Sequence, residues 1–456
     1  MVARTQADDR LIGLRPVLGR WQLLCVGIGA IIGSGIFVIP GPATQFAGPA
    51  ILLSFVLAAI GCGLAGLCYA ELAAMYPEAG SAYAYSRRAF GRLPGWLIGW
   101  LLILEYLFAT AIVAQAFATY ALGLFPELTP STSAALIAAL TVLVLAVVTG
   151  LAVRGVELSA GVVVITVLIK VGVIALVIVA GARFVDPENW SPFIPANTGE
   201  WGEFGWSGVL RAAGIVFYTY LGFDTVSVAA AEARRPQRDV PFALIGSLVL
   251  CTALFIAMMA VVTGLVDFRA LNVANPIAVA IDAAGSRLIW LAPVVEIGAM
   301  IGMFSVLIVI LMAQARILYS MAQDGLLPAS LARLHERWRT PVTGTLLTAL
   351  AGAVLAVLVP IGVLGQLVSI GVLSAFVAVA VVVLVWRRKH PDTPRPFRTP
   401  WVPVVPISAI LVCGYMMAGL PSATWWRFGG WILLGLAIYW LYGARSGKRS
   451  PTSKVS

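Results

Sequence analysis

Apolar runs of about 20 residues, each long enough to cross a bilayer, recur along the whole of this chain. Twelve are counted, at roughly 21–46, 49–76, 93–124, 131–151, 159–182, 205–231, 240–266, 288–321, 343–360, 365–387, 402–420 and 425–443. Inside lipid no water satisfies a backbone N–H or C=O, so such a run closes its own hydrogen bonds as a helix. The pattern predicts an all-α integral membrane protein of twelve transmembrane helices. Of the 456 residues 61% are hydrophobic and 11% charged, against about 45–50% and 25% in soluble domains. The polar stretches between runs are too short for a separate soluble domain.

The net charge of +10 would by itself fit a nucleic-acid partner. Its distribution points elsewhere. With the N-terminus in the cytoplasm and twelve spans threaded, 23 of the 30 Lys and Arg residues fall on the cytoplasmic side. Only Arg183, Arg269, Arg287 and Arg427 fall on the other. This is the positive-inside bias. It predicts a multi-pass plasma-membrane protein with both termini cytoplasmic, partnered by the lipid bilayer and not by nucleic acid. The first apolar run extends past any short signal-peptide core and shows no small-residue cleavage site, so it is read as a retained span.

Cys25, Cys62, Cys68, Cys251 and Cys413 all lie inside apolar runs, where cysteine behaves as a small hydrophobe. No metal-ligand spacing is seen, and His335 and His390 lie in basic loops. No metal, cofactor or histidine-based catalysis is expected. The order of the intramembrane charges matches no hydrolase motif, so an enzyme is not expected. No run offers the continuous polar stripe that a channel needs.

Two runs contain residues that a helix tolerates poorly. The first reads Gly27-Ile28-Gly29-Ala30-Ile31-Ile32-Gly33-Ser34-Gly35-Ile36-Phe37, and each interior glycine costs roughly 1 kcal/mol relative to alanine. The sixth reads Phe217-Tyr218-Thr219-Tyr220-Leu221-Gly222-Phe223-Asp224. A broken helix at that depth survives only where its freed backbone is buried in protein or lines a polar cavity. Breaks at matching positions in two halves point to an inverted-repeat transporter. The expected organisation is a cytoplasmic segment 1–20, a first repeat 21–182, a second repeat 205–387, two further spans within 402–443 and a tail 444–456. A small-residue packing face, Gly29-Ala30-Ile31-Ile32-Gly33, would also explain the first glycine run.

A free amino acid carries a carboxylate and an ammonium, each costly to remove from water. A helix starting near Ser34 turns free N–H groups and a positive dipole end toward an anion. The carboxylate is therefore assigned to the N–H groups of Ser34 and Gly35, helped by the Ser34 hydroxyl, and the ammonium to the carbonyls of Ile31, Tyr218 and Leu221, with Gly33 between them in the substrate-binding set. Lys170 stands alone in Val163–Ile178, otherwise without charge, and a lysine at bilayer depth costs about 3 kcal/mol or more. Such an amine is a candidate proton carrier; a structural lysine bridging two helices is the other reading. Glu105, Asp224 and Glu296 are the intramembrane acids; Glu296 and Arg211 are candidates for an outer ion pair, their roles left open.

Gly27–Phe37, Cys68–Gly80, Leu104–Tyr106, Lys170, Phe217–Asp224, Glu232–Pro241 and Arg316–Pro328 together resemble the amino acid–polyamine–organocation superfamily, in particular the cationic amino acid transporters and their bacterial relatives. The resemblance implies a LeuT-type fold, with spans one to ten as two inverted repeats and helices 1 and 6 discontinuous. It implies secondary transport of L-amino acids with the proton as co-substrate. It makes Phe217 and Tyr218 an aromatic gate and sets Lys170 near the Gly29 carbonyl and Ser305. It brings Glu105 toward the substrate cavity, either meeting a cationic side chain or holding a hydrogen-bond network. Ile310, in the wholly apolar Val306–Met312, falls where a carrier of long cationic side chains would want a smaller or polar residue. Small neutral amino acids are therefore favoured over cationic ones. A proton-independent exchanger or facilitator for cationic amino acids or polyamines is the competing assignment.

Overall fold

The computed structural model describes residues 18–76, 81–125, 130–155, 160–273 and 275–443. Residues 77–80 of the first loop motif, most of the expected N-terminal segment and the tail from 444 lie outside the described residues. The described chain is helical. Its only β-type pairing is an isolated parallel bridge between Leu18 and Ala233.

Each of the twelve apolar runs coincides with helix. The first holds α1 (Arg20–Ile31), α2 (Ser34–Val38) and α3 (Pro40–Ala47), and the second α4 (Ile51–Met75). A connecting helix α5 (Ser81–Phe90) leads to α6 (Arg92–Gly123), α7 (Pro130–Val153) and α8 (Ala160–Gly181). The sixth run is divided between α9 (Gly205–Val216) and the single turn α10 (Thr225–Val228). Then come α11 (Pro236–Leu265), the short α12 (Pro276–Ala283), α13 (Leu291–Gln323), α14 (Val342–Leu358) and α15 (Ile361–Lys389). Last are α16 (Val404–Ala418) and α17 (Ser422–Ile438).

Among the described residues eight helical stretches are long and apolar enough to cross a membrane. The count is nine if the last pair, bent by 113°, is taken as one. The difference from twelve lies in length. The sixth run is interrupted, α14 has 17 residues, and α16 and α17 have 15 and 17. At 1.5 Å rise, a 17-residue helix covers about 26 Å, just under a ~30 Å hydrocarbon core.

Burial separates a centre from a rim. The most apolar stretch of α6 is 83% buried and that of α8 only 28%. α6 lies against α13 and α15, and α1 against α11 and α8. The broken helices thus sit within a jacket of unbroken ones.

Two ionic clusters pin loop segments to helix ends. Glu71, at the end of α4, accepts from Arg387 Nε at 3.1 Å and Nη2 at 2.7 Å, and from the Thr399 N–H at 2.7 Å. Arg395 Nε lies 3.3 Å from the same carboxylate. The side chains of Glu71 and Arg395 are only 2% and 4% exposed. At the end of α13, Asp324 pairs with Arg87 and accepts from Tyr83 Oη at 2.5 Å. Burial, reinforced by that bond, pushes the Tyr83 hydroxyl above its ordinary range, so it stays a donor at neutral pH. Arg211 and Glu296 do not form the candidate ion pair. Arg211 stacks over the Phe46 ring at 4.2 Å, and Glu296 accepts from Asn275 Nδ2 at 3.4 Å. A guanidinium over an aromatic face is offset by the ring quadrupole without a carboxylate.

Candidate substrate site

The two interruptions meet. Ile32 N–H keeps a helical bond to the Ile28 carbonyl at 2.9 Å, but Gly33 N–H turns back to Ile31 at 2.9 Å. A continuous helix would send Gly33 N–H to Gly29. The Gly29 carbonyl is thereby released, and Lys170 Nζ donates to it at 2.7 Å. The helix resumes at Ser34, so the N–H groups opening α2 have no helical acceptor.

In the sixth run the chain tightens after Val216 into a 3₁₀ turn, Phe217–Tyr220. It then passes through Leu221–Asp224 before α10 begins. Gly222 takes φ +96°, the left-handed region that glycine occupies without strain. Its Cα faces α1: a Cβ there would lie 2.8 Å from the Ala30 carbonyl oxygen. A Cβ on Gly35 would lie 2.6 Å from Thr219 Cα. Both contacts are with backbone, which cannot swing away. Two glycines therefore let the breaks cross. Across the crossing, Ser34 Oγ and Tyr218 Oη share a hydrogen bond of 3.0 Å.

A small cavity, about 20 Å³, lies at this crossing. It is lined by Ile31, Gly33, Ser34, Gly35, Tyr218, Leu221 and Ile310 of the sequence-predicted set. Ala30, Tyr106, Val113, Gly222, Thr225, Val306 and Val309 line it too. That is room for about one water. Its polar groups gather at the breaks. Its far wall, Val113, Val306, Val309 and Ile310, is aliphatic.

The other predicted residues fall outside the lining. Glu105 is 1% exposed, and its Oε1 has no hydrogen-bond partner among the described residues. Its neighbour Tyr106 lines the cavity instead and donates to Asp224 Oδ2 at 3.1 Å. Phe217 meets the Phe376 ring edge-on, with centroids 5.4 Å apart. Ser305 Oγ donates within its own helix to the Gly302 carbonyl at 2.8 Å. The Lys170 stem packs where a Cβ on Gly302 would stand, 3.2 Å from Lys170 Cε. Lys170 thus lies one turn from Ser305, wedged between α1 and α13.

Sequence reasoning missed Tyr106, Val113, Thr225, Val306 and Val309. Spacing offered a signal. Tyr106 and Val113 are seven apart, and Val306, Val309 and Ile310 are three and four apart, so each set shares a helix face.

A multi-pass helical protein with two interrupted helices crossing over a buried pocket has the form of a membrane carrier. The family model described as amino acid permease matches residues 18–447, and the chain belongs to that family. It is 39% identical over 463 residues to the branched-chain amino acid permease BcaP of Bacillus subtilis, across 98% of this chain and 97% of that one. It is 38% identical over 451 residues to the methylthioribose transporter of the same organism, across 96% of each. It is also similar to human cationic amino acid transporter 4, at 35% over 358 residues, covering 76% of this chain and 55% of the relative.

Proposed function

We propose that this permease imports neutral L-amino acids with aliphatic side chains across the plasma membrane, driven by protons, with both termini in the cytoplasm. The reading includes twelve spans: two inverted five-helix repeats, 21–182 and 205–387, followed by two further helices. One observation carries it: both interrupted helices cross at a single pocket, where Ser34 and Tyr218 are hydrogen-bonded at 3.0 Å. Backbone N–H groups of Ser34 and Gly35 receive the substrate carboxylate, helped by the Ser34 hydroxyl. The carbonyls of Ile31, Tyr218 and Leu221 receive the ammonium. Each carbonyl has two lone pairs, so those of Ile31 and Tyr218, which already accept from Gly33 and Leu221, retain capacity.

The aliphatic wall supports a branched or short apolar side chain. A hydrocarbon wall offers no partner for a guanidinium or ammonium, whose burial unpaired is costly. Relatives described as branched-chain amino acid permeases agree with this preference. Tyr218 closes the pocket and swings aside to admit substrate. Lys170 takes up and releases the coupled proton, and because its partner is the carbonyl freed by the break, its charge reports directly on the geometry of α1.

The test is uptake of labelled leucine and alanine into proteoliposomes, with and without an inward proton gradient, in wild type and Lys170→Ala. The expected result is gradient-stimulated uptake in wild type and none in the variant, with substrate counterflow retained. Uptake in the variant that still follows the gradient would remove Lys170 from the coupling. Arginine competing better than leucine would reverse the substrate preference.

A further inference from the structure

A second cavity, sharing no lining residue with the first, lies along α11. It is a groove of about 820 Å³ bounded by Arg238, Phe242, Ile245, Val249, Leu250 and Phe397, among others. Positions 238, 242, 245 and 249 follow the helical repeat, so they form one stripe. From Arg238 to Leu250 the stripe runs about 18 Å, slightly more than the ~15 Å hydrocarbon depth of one leaflet. Its lower part faces outward and is greasy: Val249 is 64% exposed and Leu250 41%.

Its upper end is basic and aromatic. Arg238 is exposed, and no acid pairs with it among the described residues. The Arg20 guanidinium stands 5.1 Å from the centroids of both Phe242 and Trp21. Trp21 meets Phe242 edge-on at 5.4 Å and is itself 61% exposed. On the other bank Phe397 is followed by exposed Arg398, in the segment that Arg395 anchors to Glu71. The groove therefore has a cationic head, an aromatic collar and an aliphatic tail. That is the order of groups met along a phospholipid from phosphate to acyl chain, and tryptophan and arginine favour the headgroup level.

We propose that this groove binds one anionic phospholipid, its phosphate between Arg238 and Arg20 and one acyl chain along Phe242 to Leu250. A zwitterionic lipid brings its own cation to the same arginines, so the headgroup's net charge sets the preference. An arginine near an anionic lipid surface contributes about fivefold in binding. Arg20 and Trp21 open α1, the first broken helix, so an occupied groove also braces the approach to the transport site.

The experiment uses the full chain in phosphatidylcholine vesicles with a quarter of the lipid replaced by phosphatidylglycerol. After extraction, the lipids retained per protein are counted by native mass spectrometry. Wild type is expected to enrich phosphatidylglycerol over its bulk share. Arg238→Gln and Arg20→Gln should each lower that enrichment about fivefold, and Arg238→Lys should keep most of it. Val249→Trp, which fills the groove without touching charge, should lower retention of the lipid as well. Arg337→Gln, an exposed arginine elsewhere, should leave enrichment unchanged. Equal retention of both lipids by wild type, unaltered enrichment in Arg238→Gln, or an equal fall in Arg337→Gln would overturn the proposal. None of these readouts depends on transport, so failure here leaves the proposed function standing.

Discussion

The crossing of the broken helices and the clusters that pin the loops are held together by opposite means. At the crossing, Gly35 lies against Thr219 and Gly222 against Ala30, with one neutral hydrogen bond between Ser34 and Tyr218. At the end of α4, a carboxylate 2% exposed takes two arginines and a backbone N–H. The first region is joined by close fit, the second by buried charge. Close fit between backbones is cheap to separate and re-form, whereas a buried ion cluster resists any change that strands one member. On that contrast the breaks are the place expected to part during a transport cycle, with α4 and α15 staying tied, and the variants below test it.

Removing one partner of the buried cluster should have the largest effect. Glu71→Gln leaves the enclosed Arg395 guanidinium without a counter-charge and should lower stability by about 3 kcal/mol. Thermal unfolding in detergent measures this; an unchanged midpoint would mean that the clasp is not structural. Overfilling the crossing should come next. Gly35→Ala drives a methyl into Thr219 Cα and Gly222→Ala meets the Ala30 oxygen at a positive φ, each at about 1–3 kcal/mol. Uptake should fall about tenfold or more, with the unfolding midpoint lowered no further than in Glu71→Gln. Loss of stability without loss of uptake would dissolve the distinction between the two regions. The smallest effect belongs to the single hydrogen bond. Tyr218→Phe and Ser34→Ala each remove a net contribution of about 1 kcal/mol, a few-fold change in apparent affinity in competition uptake. The double variant should do little more than either alone, because both delete the same bond; full additivity would mean that the two hydroxyls act separately.

Much of this was legible from residues alone, and the reason is local. Gly33-Ser34-Gly35 and Leu221-Gly222 announce interruption because weak helix formers gather at matching places in two runs, whereas a packing face would account for the first alone. Lys170 announces itself because charge is rare at that depth. The aliphatic lining did not. Val113, Val306 and Val309 look like dozens of other valines, and only packing of α6 against α13 decides which of them face the pocket. The same rotation explains Glu105: one residue along a helix turns the side chain by about 100°, so Tyr106 reaches the cavity while its acidic neighbour does not. Glu71 lies within the Cys68–Gly80 stretch, but its partners lie more than 300 positions away. Nothing in local sequence encodes that distance. The candidate Arg211–Glu296 pair failed for a related reason. Opposite charges in apolar runs invite pairing, yet Arg211 stacks on the Phe46 ring instead.

The bridge at the start of the described chain has a mechanical consequence. Arg234 N–H donates to the Leu18 carbonyl at 2.9 Å, joining the leader into α1 to the residues just beyond the 3₁₀ turn that follows α10. The two interrupted helices are thus yoked at their heels as well as touching at their waists. A yoke of this kind reduces two independent swings to one shared coordinate, so fluorophores placed beside Leu18 and Ala233 should report a single rate when the carrier turns over.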